Sequence, residues 1–357
     1  MYNNYEPFYP QLEAYSRDRF LKSNEEAQSQ QIQEVFEIYR GVNEYPTPKF
    51  TDEDARREVI KCVEKDVSTT SQFMDLKYNQ GGALCRHLFP NLRDTTQAGD
   101  PRTLNAKFND DHMLKRAIEF CLKFKTSKCP VKPSGIKDGL EMLGGGVATN
   151  FKPMSAKWVY DKYCPQDGTV YDFSSGFGGR LLGAASSGKV SKYIGTDPNT
   201  ETFANQKKLK SIIISALPDF KVGLHNLPSE EAVLPPECID MAFSSPPYFD
   251  LENYCSEPTQ SIVKYPEYAA WMEGYMRPTL RNVFNGLKYG GVLALNVADY
   301  NYKSRTVYMV DDWLRVASEE GLTLVDTISM RIQTRRGSGH GDNSKVKQEG
   351  IYIFNKQ

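Results

Sequence analysis

The chain has 357 residues, 39% hydrophobic and 25% charged, enough for one large domain or two smaller ones. Its formal net charge of −1 excludes a global basic signature, so any nucleic-acid contact must come from local patches. Seven cysteines without a Cys-x-x-Cys pair argue against a disulfide framework and the usual zinc spacings, and Cys85 with His87 finds no second pair to complete a metal site, so no metal is expected.

The first 45 residues are polar, with Ile32, Val35, Phe36 and Tyr39 at helical spacing, which predicts an amphipathic helix over 25–40. The amino-terminal stretch lacks the basic-then-apolar pattern of a signal peptide. No apolar run approaches membrane-spanning length, so a cytoplasmic protein without a membrane partner is expected. A second helix is predicted after Thr51, where TDEDARREVIKCVEKD opens on a Thr cap and an acidic first turn. Residues 68–109 show no sustained period and are expected to form loops and short elements. Helical spacing returns over 110–125 through Met113, Leu114, Ile118, Cys121 and Leu122. The same segment carries Lys115, Arg116, Lys123 and Lys125, a run that suits either a solvated helix face or a phosphate-contacting surface. Residues 129–146, CPVKPSGIKDGLEMLGGG, read as a linker or mobile gate because they are rich in Pro and Gly.

From residue 150 strands alternate with helices, the signature of a doubly wound sheet. Strands are predicted at 169–172, 193–196, 221–224, 239–243, 292–297, 322–332 and 351–355. Helices are predicted from 154 and over 180–187, 200–217, 267–288 and 307–320.

The apolar strand 239–243 stops abruptly at Ser245, Pro246, Pro247 and Tyr248. The two prolines stiffen this turn and remove N–H donors, leaving carbonyls free to face a ligand. A hydroxyl, a carbonyl and an aromatic face suit a flat ring bearing an amino group, although the same residues also make an ordinary turn. Phe249 and Tyr254 could line such a pocket or simply pack. The loop 172–180, DFSSGFGGR, joins a strand to a helix, and its glycines let backbone approach a nucleotide-like ligand. A dinucleotide fingerprint would place Gly where Leu181 stands, which weakens a nicotinamide-cofactor reading. Asp197, ending the next strand, can accept from both hydroxyls of a ribose or cap the helix that follows.

Ser-Pro-Pro-Tyr after an apolar strand resembles motif IV of the S-adenosylmethionine-dependent DNA amino-methyltransferases, whose Ser form is commonest among N4-cytosine enzymes and whose Asp form is commonest among N6-adenine enzymes. The 172–178 loop is similar to motif I of that family, with Phe173 in place of the usual Pro. Asp197 matches motif II, Asn226 the motif III position, and 150–153 resembles motif X. Residues 1–145, which these motifs do not cover, resemble in overall look methyltransferases encoded by bacteriophages. The resemblance implies a Rossmann-like seven-stranded methyltransferase sheet over 146–357, preceded by a mostly helical region, 1–145, as the candidate DNA-recognition element. It further implies S-adenosylmethionine as cofactor, held by Asp172, Ser174, Gly176, Gly178, Asp197, Asn226, Phe151 and Pro153. Transfer would occur at Ser245, Pro246, Pro247 and Tyr248, to a flipped base in duplex DNA or to single-stranded DNA in a prokaryotic or phage-infected cell. Lys115, Arg116, Lys123 and Lys125, with Arg335 and Arg336 in the loop 334–348, are the expected DNA contacts. Cytosine N4 is the first choice of target. Adenine N6, an RNA base and a non-catalytic nucleic-acid-binding module are the alternatives.

Overall fold

Seven strands form one sheet: β1 (Gly168–Asp172), β2 (Val190–Thr196), β3 (Lys221–His225), β4 (Ile239–Ser244), β5 (Leu287–Val297), β6 (Leu322–Arg331) and β7 (Gln348–Lys356). Their spatial order is β6-β7-β5-β4-β1-β2-β3, and β7 alone runs antiparallel to its neighbours. This is the Rossmann-like seven-stranded sheet expected from the sequence. The structure, a computed structural model, describes residues 9–42, 44–68, 78–97, 102–144, 147–302, 305–331 and 348–357.

Parallel strands covered on both faces read as continuous apolar runs, and Met241, Ala242 and Phe243 of β4 and Leu293, Ala294 and Leu295 of β5 are fully buried. Helices Gly179–Ser186, Thr200–Ala216, Arg277–Gly286 and Met309–Glu319 supply the crossovers. Ser244 pairs with Leu295 and Gly350 with Val297, so the C-terminal ends of β4 and β5 and the start of β7 share one edge.

The described residues form two compact units. One draws on 1–50, 90–148 and 252–254, the other on 51–89, 149–251 and 255–357. The described residues of 51–89 therefore lie in the sheet unit, which is assembled from three stretches of chain rather than from 146–357 alone. The first unit is helical. Arg17–Lys22, Glu25–Val42, Leu104–Asn109, Asp111–Phe124 and Pro133–Met142 surround a core containing Phe20, Tyr39, Leu114, Ile118, Ile136 and Leu140.

The structure departs from expectation in two places. The segment 129–146, expected as a linker, contains the helix Pro133–Met142, with Pro at its first turn, where a missing N–H is harmless. Its glycines form the packing face: a Cβ on Gly139 would lie 2.9 Å from Ala117 O, and one on Gly135 would lie 2.0 Å from Pro130 O. Within 68–109 the helices Gly82–Leu88 and Leu104–Asn109 are short elements of the kind expected there. The single helix expected over 267–288 is Tyr268–Trp271, a π-helical turn Met272–Met276, and Arg277–Gly286. Pro278 is the cause, because it has no N–H to give and its ring crowds the carbonyl four residues back.

Candidate active site

The chain leaves β1 outward through β2 and β3, then returns to lay β4 on the other side of β1. The C-terminal ends of β1 and β4 thus flank the topological switch point, where open α/β sheets bind ligands. Asp172 closes β1 with 0% exposure. Its carboxylate accepts from Arg180 Nε, Tyr193 Oη and Ser244 Oγ, each at 2.8 Å, and from the Ser174 amide at 3.3 Å. Arg180, 6% exposed, also donates to Ser174 O. Burial works against the Arg180 charge, but the Asp172 partner outweighs it and holds the guanidinium above its ordinary pKa. Asp172, expected among the residues that hold the cofactor, has its carboxylate turned inward, where it ties the loop, β2 and β4 together. A buried carboxylate with a buried guanidinium beside it is held by that charge.

Gly176 and Gly178 have φ of +53° and +78°, where a side chain is strained. Their surroundings differ. A Cβ on Gly176 would meet only Ser174 O, at 3.6 Å, so a ligand has room there. At Gly178 it would strike Leu209 at 2.5 Å and Phe89 at 2.8 Å, and at Gly179 it would strike Phe151 O at 1.8 Å. These two glycines, including Gly178, for which close cofactor approach was expected, make room for protein. Asn150 clamps the loop, donating to Phe177 O at 2.9 Å and accepting from the Gly179 amide at 3.3 Å. Phe151 packs edge-on to Phe243, Pro153 opens the helix Pro153–Tyr163, and Ser174 Oγ lies 3.4 Å from Tyr275 Oη. Sequence patterns did not mark Gln206, whose Nε2 reaches Ser175 Oγ at 2.8 Å and Gly176 O at 2.7 Å. Its buried Oε1 has no partner among the described residues.

Asp197 follows β2, 8% exposed, and accepts from the Gly176 amide at 2.8 Å and the Asn199 amide at 3.0 Å. The helix cap considered for Asp197 is supplied by Asn199, which accepts from Thr202 N at 2.8 Å. Asn226 donates to Asp197 O at 2.9 Å. The Asp197 carboxyl is pushed from 3.8 to about 6, chiefly by burial, with the two backbone N–H groups opposing. A carboxyl with a raised folded-state pKa holds its proton more tightly when folded, so its contribution to stability is complete below pH 3.8 and is lost as pH rises through about 6. The loss is about 3 kcal/mol. Urea midpoints of the wild-type protein should fall across this window relative to Asp197→Asn, in which the titration is absent. Parallel pH profiles of the two proteins would show that Asp197 does not titrate in the fold as described.

At the end of β4, Ser245 Oγ donates to Asn296 Oδ1 at 2.8 Å, and Asn296 Nδ2 donates to Gly350 O at 3.1 Å. Pro246 is buried and Pro247 half-buried. Tyr248 Oη donates to Glu349 at 3.0 Å, and its ring meets Tyr300 edge-on at 6.0 Å. Burial raises the Glu349 carboxyl, while hydrogen bonds from Tyr248 and Asn296 oppose the shift. The structure thus joins Ser245 and Tyr248 to two residues the sequence did not signal. Phe249 belongs to the core, with ring centroids 5.1 Å from Tyr268 and 5.7 Å from Trp271. Tyr254 lies in the helical unit and donates to Glu252.

The expected DNA contacts occupy the helix Asp111–Phe124 and its C-cap in the helical unit. Lys115 lies 4.5 Å from the Phe36 ring centroid, Lys123 pairs with Glu119 at 2.7 Å, Lys125 pairs with Asp138, and Arg116 is exposed. Arg335 and Arg336 lie outside the described residues. Among the described residues no group of three or more His, Cys, Asp or Glu could hold a metal ion, and no helix is long and apolar enough to cross a membrane.

No family model matches the chain, and no curated protein matches its sequence. Solved structures similar to it include an S-adenosylmethionine-dependent methyltransferase from Methanosarcina mazei, at 13% identity over 56% of this chain and 96% of that one, with a TM-score of 0.36. Geranyl diphosphate C-methyltransferase from Streptomyces coelicolor A3(2) is 10% identical over 57% of this chain and 78% of that one, with a TM-score of 0.38. TrmN from Thermus thermophilus is 14% identical over 57% of this chain and 49% of that one, with a TM-score of 0.38.

Proposed function

We propose that this protein is an S-adenosylmethionine-dependent DNA amino-methyltransferase whose target is the exocyclic N4 of a cytosine turned out of the helix. The observation that carries the proposal is the pairing, at the switch point, of a glycine loop open at Gly176 with Ser245 and Pro246 at the end of the adjacent strand β4. The residues around the loop suit the cofactor. An ionised Asp197 carboxylate offers about four lone-pair positions, of which two backbone donors use two, leaving capacity for the two hydroxyls of a ribose. Gly176 leaves the backbone open beside it, Asn226 borders Asp197, and Gln206 Oε1 is an acceptor without a protein partner among the described residues.

The cofactor supplies a sulfonium methyl open to direct displacement. An exocyclic amine is a poor nucleophile because its lone pair is delocalised into the ring. Ser245 Oγ and the Pro246 carbonyl, accepting from its two N–H bonds, localise that pair on nitrogen. Pro247 keeps the turn stiff, and the Tyr248 ring offers a stacking face. Turning the base out of a duplex costs a few kcal/mol, which stacking on Tyr248 helps to offset. Incubation with labelled S-adenosylmethionine and unmodified DNA, followed by nucleoside mass spectrometry, tests the proposal. N4-methylcytosine is expected, and label confined to carbon, to oxygen or to RNA would refute it.

On this proposal the helix Asp111–Phe124 contacts phosphates through Lys115 and Arg116, with smaller contributions from Lys123 and Lys125, whose charges are already matched by Glu119 and Asp138. Reversing Lys115 and Arg116 to Glu should weaken binding to all DNA sequences alike. It should also reduce the dependence of log affinity on log salt by about 0.9 for each phosphate that is no longer neutralised. An unchanged salt slope in the folded double variant would remove this helix from the DNA interface.

A further inference from the structure

Asn296 sits on β5, 3% exposed, with its amide enclosed by groups that decide its orientation. An amide presents one acceptor oxygen and two N–H donors. Gly350 O, 3.1 Å from Nδ2, is a carbonyl and can only accept. Since that carbonyl must receive an N–H, the nitrogen of the amide is fixed on the β7 side. Nδ2 therefore faces β7, and Oδ1 is left facing Ser245 Oγ at 2.8 Å. A carbonyl oxygen cannot donate, so the Ser245 hydroxyl must commit its single proton to Asn296. The lone pairs of Ser245 Oγ remain, and they accept. The neighbouring hydroxyls follow the same rule, Ser244 donating to Asp172 at 2.8 Å and Tyr248 donating to Glu349 at 3.0 Å.

We propose that Asn296, oriented by the Gly350 carbonyl, is a positioning residue that fixes Ser245 as a hydrogen-bond acceptor and so makes the site select a base edge bearing an amino group over one bearing a carbonyl. A free serine hydroxyl can turn its proton toward a carbonyl substrate and serve either. A serine whose proton is already committed meets a carbonyl with lone pair against lone pair. A pocket with acceptors only leaves a mismatched substrate with unpaired polar groups, the arrangement that gives strong discrimination. This inference rests on the amino-methyltransferase reading above.

The test uses the full chain, labelled S-adenosylmethionine and unmodified DNA. Asn296→Thr and Asn296→Val are nearly equal in shape and both suit a strand, but only threonine can donate to Gly350 O while accepting from Ser245. With Ser245 present, Asn296→Val should lower kcat roughly tenfold more than Asn296→Thr, with affinity for S-adenosylhomocysteine equal within about twofold. The gap should vanish in the Ser245→Ala background, because a residue acting through Ser245 has nothing left to act on. Equal losses in the two variants, or a gap that persists without Ser245, would overturn the positioning role while leaving amino-methylation intact. Wild-type product on carbon or oxygen, or no transfer to DNA, would overturn the amino-methyltransferase reading and this inference with it.

Discussion

Asp172→Ala should lower the stability of the sheet unit by about 3–5 kcal/mol, because it leaves the Arg180 guanidinium buried without its counter-charge. Asp172 is 0% and Arg180 6% exposed, and the same carboxylate also receives Tyr193 and Ser244. All three donors would be stranded in a low-dielectric interior by one substitution. The expected measurement is a lowered midpoint in urea with an unchanged slope. Adding Arg180→Met should recover much of the loss, since a buried ion pair replaced by apolar groups of similar volume is often close to neutral, whereas a buried single charge is not. A wild-type midpoint in Asp172→Ala would show that the carboxylate is not a structural hub. If only affinity for S-adenosylhomocysteine fell, Asp172 would belong to the cofactor.

Ser245→Ala should lower kcat by roughly one to three powers of ten while leaving cofactor affinity nearly unchanged. The lost acceptor matters most when the amino lone pair localises, so the effect falls on the transition state. Pro246 would remain as the single acceptor. The substitution also frees Asn296 Oδ1, a buried acceptor 2.8 Å from Ser245 Oγ, so a modest loss of stability should accompany the kinetic one. Single-turnover kinetics at saturating cofactor separate the two effects. A fully active Ser245→Ala protein would remove Ser245 from the reaction.

What could be read from the sequence were features written in contiguous residues. Apolar runs such as 239–243 predicted β4, and the alternation of strands and helices from residue 150 predicted the doubly wound sheet, because burial on both faces leaves a local mark on each strand. The Ser-Pro-Pro-Tyr turn and the glycine loop were likewise visible as strings. Their partners were not. Asn296 and Glu349 stand 51 and 101 residues from the groups they bond, on β5 and on the antiparallel β7. Only the register that sets Gly350 beside Val297 brings them to the edge where Ser245 follows β4. The helix Pro133–Met142 was hidden for a related reason: its glycines serve close packing against Ala117 and Pro130, and composition alone cannot distinguish a glycine that bends a chain from one that lets two backbones touch. Asp172 makes the same point at the site itself. The residue type and its place at a strand end were legible, but whether its carboxylate faces ligand or interior was decided by Arg180, Tyr193 and Ser244 converging on it from three elements of the fold. Local patterns thus determined which elements form and which loops lie at the switch point. Hydrogen-bond direction and burial arise between residues distant in sequence, so the tertiary structure decided which groups those loops leave free.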